Sequence, residues 1–448
     1  MNTRTARRGP SYLGVSGWAA ILGSSQPATQ LEQDLHLDVA IVGGGFAGLA
    51  AARRLKQINP DAKIAILEAV GIAEGASGRN SGFMIDLPHV LTSDDYAGEV
   101  ATADAETIQL NRLAIEFNKG AVDEYRIPPA YFDPCGKING ARSEASVAHN
   151  KSYAEHLGRM GERCELLDAK MMREITGSDY YRSGLFTPGT VMLQPAGFVR
   201  GLCAGLKESG IQIYERTVVS EMRRVAGKWV LFAGGKHVVC DKVILATNGH
   251  LESFGFARRR LMHIILYASM TRDINEAEIG ELGGNPRWGI TPADPMGSTV
   301  RRIDVPQGGN RIVIRTCASY RPDLEPQSDA LLRAMRVHRE QFDRRFPKLR
   351  AVGMDYSWAG NICLSLNDVS VVGEVDENLF SACCQNGLGA ARGTLSGIGA
   401  AELVAGESSP ISQYFKAAAE PKMLPPWPVA ELGANAVIKW KEWRARNE

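Results

Sequence analysis

Gly43, Gly45 and Gly48 stand in the spacing G-x-G-x-x-G, and Glu68 follows twenty residues after the last of them. Residues of these types at this spacing hold a phosphate-bearing ligand rather than make bonds. Gly43 permits a tight turn, Gly45 lets a pyrophosphate approach the backbone, and Gly48 lets a helix pack closely on a strand. The N-terminus of that helix, at Phe46 and Ala47, offers N–H groups and a positive dipole end to phosphate. A carboxylate at Glu68 accepts hydrogen bonds from both ribose hydroxyls and repels a 2′-phosphate, so NADP is disfavoured.

The flanking elements fit that chemistry. Val39 to Val42 is fully apolar, as a buried parallel strand is. Leu49 to Leu55 is rich in alanine and reads as the helix, and Ile64 to Leu67 is a second apolar run ending at Glu68. Strand, glycines, helix, strand and acid in this order indicate an adenine dinucleotide.

The loop after Glu68 bears on which one. Ala69, then Gly75-Ala76-Ser77-Gly78-Arg79-Asn80-Ser81-Gly82, is rich in Gly, Ser and Asn where an NAD fold usually continues into another strand–helix unit. Such a loop runs along an extended cofactor. Trp229 to Phe232 and His237 to Cys240 flank Gly234-Gly235, a hairpin signal. Lys242 to Leu245 is a strand ending in Ala246-Thr247-Asn248-Gly249. Asn378 to Ala382 reads as another strand. It leads through Gly387-Leu388-Gly389 and Thr394 into a helix over Leu395 to Val404. A helix N-terminus there can face the electron-rich edge of a reduced flavin.

Together these motifs resemble the FAD-dependent amino-acid oxidase (DAO) superfamily, in the branch of glycine oxidase, sarcosine oxidase and gamma-glutamylputrescine oxidoreductase. The last group is similar in its Ser-Tyr-rich N-terminal extension, in Gly75 to Asn80, in Ala246 to Gly249 and in Trp358-Ala-Gly360-Asn361. The segment Leu193 to Val199, the amphipathic helix after it and Ile211 to Val219 also fit. The resemblance implies an α/β fold: an FAD-binding Rossmann-like domain of the glutathione-reductase type, with an interleaved α+β substrate domain on a mixed, largely antiparallel sheet. It places Val219 at the adenine side and Thr247 to Gly249 near ribose and pyrophosphate. Some relatives attach flavin through a cysteine; Cys363 and Cys317 are the cysteines to consider, and non-covalent FAD is expected. Two motifs depart from the family. The final turn, usually aromatic-Ser-Gly-His-Gly, is Gln385-Asn386-Gly387-Leu388-Gly389, and Ser365 to Ser370 lacks the family's proline. Both departures fall near the flavin.

The expected division gives an extension over 1–36, cofactor-binding segments over 37–83, 176–255 and 351–420, substrate segments over 84–175 and 256–350, and a tail over 421–448. The first insertion carries a helix over Ala105 to Phe117; the second carries Arg258 to Tyr267, Gly297 to Asp304 and the half-buried strand Arg311 to Cys317. Arginine pairs bidentately with carboxylate. Arg301, Arg302, Arg315 and Arg392 are therefore candidate anchors for an anionic substrate, each weighed against a surface salt bridge, and Arg258 to Arg260 reads as a solvated charge run. Tyr267 and Tyr320 are candidate pocket residues. His89 and His250 are candidate bases, although an amine bound neutral needs none. Weak catalytic candidates are thus His89, Tyr267 and Arg315.

Composition narrows the partners. The chain has 448 residues, with 51 Lys and Arg against 50 Asp and Glu, so no global basic field attracts nucleic acid. No apolar run is long enough to span a bilayer. Eight scattered cysteines form no C-x-x-C pair, so neither zinc nor a redox dithiol is expected, and free thiols fit a cytoplasmic location. The N-terminal Arg4, Arg7 and Arg8 with the broken apolar patch Tyr12 to Leu22 read as an extension over the core rather than a cleaved signal. The expected activity is oxidation of a small amine or amino acid at its C–N bond, by hydride transfer to flavin N5 and hydrolysis of the imine, with O2 or another acceptor. No lysine occurs in Arg311 to Thr316, which leans toward a dehydrogenase or slow oxidase. The alternatives are an NAD(P)H-dependent flavin monooxygenase, for which Val372-Gly373-Glu374 is ambiguous, or a flavin-binding subunit of a larger complex.

Overall fold

The computed structural model describes residues 3–23, 27–88, 101–426 and 428–448. Leu35–Val42 is central to a nine-stranded sheet. Ile64–Leu67 and Lys236–Leu245 flank it in parallel, with Gln212–Tyr214 and Leu379–Cys383 beyond them, also parallel. Strands covered on both faces are apolar throughout, and all four residues of Ile64–Leu67 are buried. Helices Phe46–Ile58 and Gly389–Ala405 lie together in the core on one face. They touch at backbone distance: a Cβ on Gly397 would stand 2.1 Å from the Ala47 carbonyl oxygen.

The expected hairpin forms, with Gly234 and Gly235 at positive φ between Lys228–Ala233 and Lys236–Leu245. Residues 237–240 and 242–245 are one strand rather than two. Its first part pairs antiparallel with the hairpin partner and its last part pairs parallel with Leu379–Cys383.

The second sheet has eight strands, in the order Met354–Leu364, Met262–Thr271, Arg311–Tyr320, Thr299–Ile303, Trp288–Pro292, Lys137–Ala141, Ser183–Thr187 and Glu165–Asp168. Neighbours run antiparallel except Trp288–Pro292 against Lys137–Ala141. The mixed, largely antiparallel sheet is as expected, but its membership is wider. Ser183–Thr187 and Met354–Leu364, placed by sequence with the cofactor segments, belong to it. The first-insertion helix runs Ala101–Tyr125, longer than expected, and its Leu110, Ala114 and Ala121 enter the core of the first sheet's helices.

The N-terminal extension is part of the fold. Thr3–Thr5 adds a strand to Val219–Val225. The Trp18 side chain is fully buried, and its carbonyl accepts from Gln194 Nε2 at 2.9 Å. At the other end of the chain, helix Val429–Arg444 covers an open strand edge: Ala318 N donates to Glu442 Oε1 at 2.7 Å and Tyr320 N to Asn435 Oδ1 at 3.2 Å.

Candidate active site

A continuous cavity reaches from the carboxyl end of the parallel strands to the second sheet. At its first end the chain leaves Leu35–Val42 through Gly43, whose φ is +108° and whose Cβ would lie 2.6 Å from the Ala246 carbonyl oxygen. A Cβ on Gly48 would stand 1.9 Å from the Gly43 carbonyl oxygen, which is the helix–strand contact expected of it. Gly43, Gly45, Phe46 and Ala47 line the cavity; Gly48 lies behind them. Glu68 Oε2 accepts from Gly44 N at 2.8 Å and Oε1 from Val70 N at 3.0 Å. Burial raises the Glu68 pKa, and these backbone donors pull against that rise. A carboxylate has about four acceptor positions, so two backbone bonds leave room for ribose hydroxyls.

Ala69, Ala76, Ser77, Arg79, Asn80 and Ser81 line the middle of the cavity, but their side chains mostly serve the loop itself. Ser77 Oγ accepts the Phe46 N–H at 3.0 Å, tying the loop to the dinucleotide helix. Arg79 donates to the carbonyls of Glu74, Gly14 and Ala359, and Trp358 Nε1 donates to the Arg79 carbonyl at 2.9 Å. Asn80 turns back on Ser77 and Gly82. Val219, Thr247, Asn248 and Gly249 line the wall opposite. Asn248 Oδ1 is buried there with no partner among the described residues.

Glycine clearances, backbone N–H groups at a helix start, a half-engaged carboxylate and an orphaned amide oxygen along one cavity fit FAD, with the adenosine at Glu68. Gly387 and Gly389 reach the cavity farther along; Gly389 opens helix Gly389–Ala405, so this helix begins earlier than expected. That start corrects two expected contacts. Leu388 is buried against Ile85 and Leu87, and Thr394, already inside the helix, bonds the Ala390 carbonyl and Asn118. Gly82 also lies outside the lining, because a Cβ there would meet Arg301 Nη1 at 2.0 Å.

The second sheet closes the far end. In an antiparallel pair, residues directly opposite share a face. Ala268 opposes Arg315 on one side and Trp358 on the other, and Leu266 opposes Gly360; all five line the cavity. Of the four candidate arginines, only Arg315 is in the lining. Arg301 is buried and donates to the carbonyls of Ser81, Gly82 and Leu193, so it anchors the cofactor loop. Arg302 donates to the Gly283 carbonyl, and Arg392 pairs with Asp368 at 2.7 Å.

Tyr267 reaches the lining, but its side chain packs with Ile265, Cys317, Leu331 and Ala334, and its hydroxyl donates to Ser319 Oγ at 3.2 Å. Burial raises its pKa. Tyr320 packs with Ile264, Ala318 and Leu364 outside the lining. His250 lines the cavity, contacts Ser253 Oγ at 3.3 Å, and is held to a pKa of about 4 by burial and by the neighbouring His263 and Arg8. It is neutral at pH 7. His89 lies outside the described residues. Cys363 lines the cavity; its thiol pKa is raised by the Cys384 thiol and by burial, whereas Cys317 is buried outside it.

Several lining residues carried no expectation. Tyr12 stands under the Arg79 guanidinium, 4.9 Å from ring centroid to Cζ, and a Cβ on Gly75 would meet its hydroxyl at 3.0 Å. Its phenol is kept neutral by burial and by Glu68. The Ser-Tyr-rich extension marks the segment, but no role for Tyr12 follows from it. Trp358, Gly360 and Asn361 stood out as a motif without a role, and the strand register supplies one.

A model of the DAO family, described as FAD dependent oxidoreductase, matches residues 38–403. The chain is similar to the probable oxidoreductase OrdL of Haemophilus influenzae, 25% identical over 396 residues covering 87% of this chain and 86% of that protein. It is 24% identical to the gamma-glutamylputrescine oxidoreductase of Escherichia coli over 406 residues, covering 88% and 89%. Glycine oxidase from Geobacillus kaustophilus shares the fold, with a TM-score of 0.68 at 18% identity over 84% of this chain and 96% of that one.

Proposed function

The chain belongs to the DAO family of FAD dependent oxidoreductases, and from that premise we propose that it oxidises the C–N bond of a small amino acid or other carboxylate-bearing amine. The placement of Arg315 carries this reading. It is the candidate anchor that reaches the cavity, on the sheet face opposite the dinucleotide turn and among Leu266, Ala268 and Trp358. A guanidinium beside apolar walls holds a carboxylate bidentately and leaves the substrate's Cα in a dry site. Among the described lining residues the one acid is Glu68, at the adenosine end, while Arg8, Arg79 and Arg315 are cationic. Arg79 is engaged with backbone carbonyls of the loop and extension and Arg8 lies near His250, so Arg315 is the cation of the sheet end, which favours an anionic group on the substrate there.

When bound, FAD supplies the acceptor for the two electrons and the hydrogen that leave the substrate carbon as hydride. The protein's part is to bind the amine neutral, to fix the carboxylate at Arg315 and to align the C–H bond. The amine nitrogen's lone pair forms the C=N bond as the hydride leaves, and water then hydrolyses the imine to a carbonyl compound and an amine or ammonia. His250 lines the cavity, but its lowered pKa makes it too weak a base to deprotonate an ammonium, so the amine is bound already neutral. Flavin is held non-covalently, and no lysine occurs among the described lining residues, which supports a dehydrogenase or a slow oxidase.

Anaerobic mixing of the purified flavoprotein with a panel of amino acids and amines tests the proposal. Bleaching of the flavin band by a carboxylate-bearing amine alone is expected. Bleaching by NADPH alone would establish the monooxygenase reading instead, and none by any amine would favour a subunit that needs another chain. Hydrogen peroxide formed fast and in equal amount to substrate consumed would overturn the dehydrogenase assignment.

A further inference from the structure

Helix Val429–Arg444 covers the second sheet in an unusual way. Its inner side does ordinary structural work: Ala434 and Ile438 pack on Ile264 and Leu364, Asn435 and Glu442 accept from strand Arg311–Tyr320, and Glu442 pairs with Arg333 at 3.0 Å. These contacts fix the rotation of the helix about its axis. A surface helix held by one side normally shows a polar opposite side. Here the outward side carries Val429, Leu432, Val437, Trp440 and Trp443, each between 52% and 70% exposed. At about 3.6 residues per turn the five side chains fall within somewhat less than half of the helix circumference, opposite Ala434, Asn435, Ile438 and Glu442, and form one face along roughly 21 Å of helix.

The exposed charges of the segment itself have one sign. Over residues 428–448 the exposed charged side chains are Lys439, Arg444 and Arg446, of which Arg444 also pairs with Asp294 at 3.4 Å. The acids of the segment are withdrawn: Glu442 faces Arg333, Glu448 is buried and accepts from Arg142 N and Ser143 N, and Glu431 is half-buried. Arg444 and Arg446 lie over the rings of Trp440 and Trp443, at 5.1 Å and 5.3 Å from the centroids. A chain of net charge +1 thus concentrates cations and apolar rings on one helix face.

We propose that this face docks on an anionic bilayer surface, the helix lying flat at the headgroup level with Trp440 and Trp443 inserted. Tryptophan prefers that depth, basic side chains meet the lipid phosphates, and an apolar stripe flanked by cations is the pattern of an interfacial helix. A second copy of the chain fits less well. Symmetric pairing of the helix would set Lys439 and Arg446 against their own counterparts with no exposed acid of the helix to answer them, Glu340 beside them being the one exposed acid of the adjoining depression. No described helix is long and apolar enough to cross a membrane, which agrees with surface docking. The inference stands apart from the proposed reaction.

The test is co-sedimentation of the flavin-loaded full chain with phosphatidylcholine vesicles, with and without phosphatidylglycerol, at low and high salt. Binding is expected with phosphatidylglycerol at low salt. It should weaken at least about tenfold without the anionic lipid, and also in the variants Trp440→Ser/Trp443→Ser and Lys439→Glu/Arg446→Glu. All four side chains are exposed, so flavin content and melting should not change. Absence of binding to anionic vesicles at low salt, or unchanged binding by the double tryptophan variant, would overturn the proposal. A concentration-dependent dimer dissolved by the tryptophan changes, without vesicle binding, would overturn it in favour of self-association.

Discussion

The two ends of the cavity are built by different means. The adenosine end rests on backbone: glycine clearances, N–H groups and one carboxylate, nearly all within residues 43–82. The substrate end rests on side chains from three strands, Met262–Thr271, Arg311–Tyr320 and Met354–Leu364, that sequence separates by dozens of residues and hydrogen bonds bring side by side. A backbone site tolerates little change at its glycines and much elsewhere. A side-chain site is tunable residue by residue, which suits the place where a substrate is chosen.

The strongest way to break the first end is Gly48→Val. The Cβ would overlap the Gly43 carbonyl, a backbone atom that cannot step aside without opening the turn. The purified variant should carry little flavin, with affinity for FAD reduced by about a hundredfold or more. The ratio of flavin absorbance to protein measures this, and a normal ratio would mean that the turn does not govern cofactor binding.

Arg315→Met probes the other end. Losing a charge-assisted carboxylate pair should cost about 3 kcal/mol, near a hundredfold in kcat/KM for the best carboxylate-bearing amine, with flavin content unchanged. Arg315→Lys should recover only part, since an ammonium cannot make the paired contact. Equal losses for substrates with and without a carboxylate would detach Arg315 from substrate anchoring.

The contrast also explains what could be read in advance. The parallel strands, the dinucleotide turn and Glu68 were legible because strand, turn and helix are contiguous, so each residue's job follows from its neighbours. Leu388, Gly82 and Thr394 also belong to contiguous motifs, yet they face away, because helix Gly389–Ala405 starts earlier than its apolar pattern shows and Gly82 is covered by Arg301. The arginines were illegible for a different reason. Arg301 and Arg315 lie on adjacent strands, opposite Val313 and Ala268, but the loop at Ser81 and Gly82 descends on Arg301 and not on Arg315. Only the packing of loop on sheet distinguishes them. The extension of Tyr12 was legible as a family feature but its role was not, since that depends on where the extension crosses Gly75.

Buried charge in the second sheet gives a pH-dependent test. Lys137 is buried, three strands from Arg315, bonded to Asn139 Oδ1 and Thr291 Oγ1, and burial lowers its pKa to about 8. The unfolded chain holds that proton to a higher pH than the folded one. The ammonium therefore destabilises the fold most below pH 8, by on the order of 3 kcal/mol, and the penalty fades as pH rises toward the unfolded value near 10.5. Lys137→Met should raise the melting temperature at pH 7 by a few degrees and flatten its change between pH 8 and 10. Flavin content should stay constant, because Lys137 is outside the cavity lining. A lower melting temperature at pH 7 would show instead that the Asn139 and Thr291 contacts outweigh the desolvation.

The smallest effect is expected at Cys363, where the two ends meet. It lines the cavity from strand Met354–Leu364, and its backbone carbonyl accepts from Asn386 N at 3.1 Å beside the glycine turn that precedes helix Gly389–Ala405. A cysteine that bonds covalently to flavin reacts as a thiolate. Here burial and the Cys384 thiol push the Cys363 pKa up, so the thiol stays protonated and serves as packing. Cys363→Ser removes a larger, more polarizable atom from a buried position, at a cost of about 1 kcal/mol of stability, and should leave flavin content within twofold. Acid precipitation should release the flavin from both proteins into the supernatant. Flavin retained on the precipitated wild-type chain and lost from the variant would make Cys363 an attachment point, and part of the site's specificity would then move from packing to covalent chemistry.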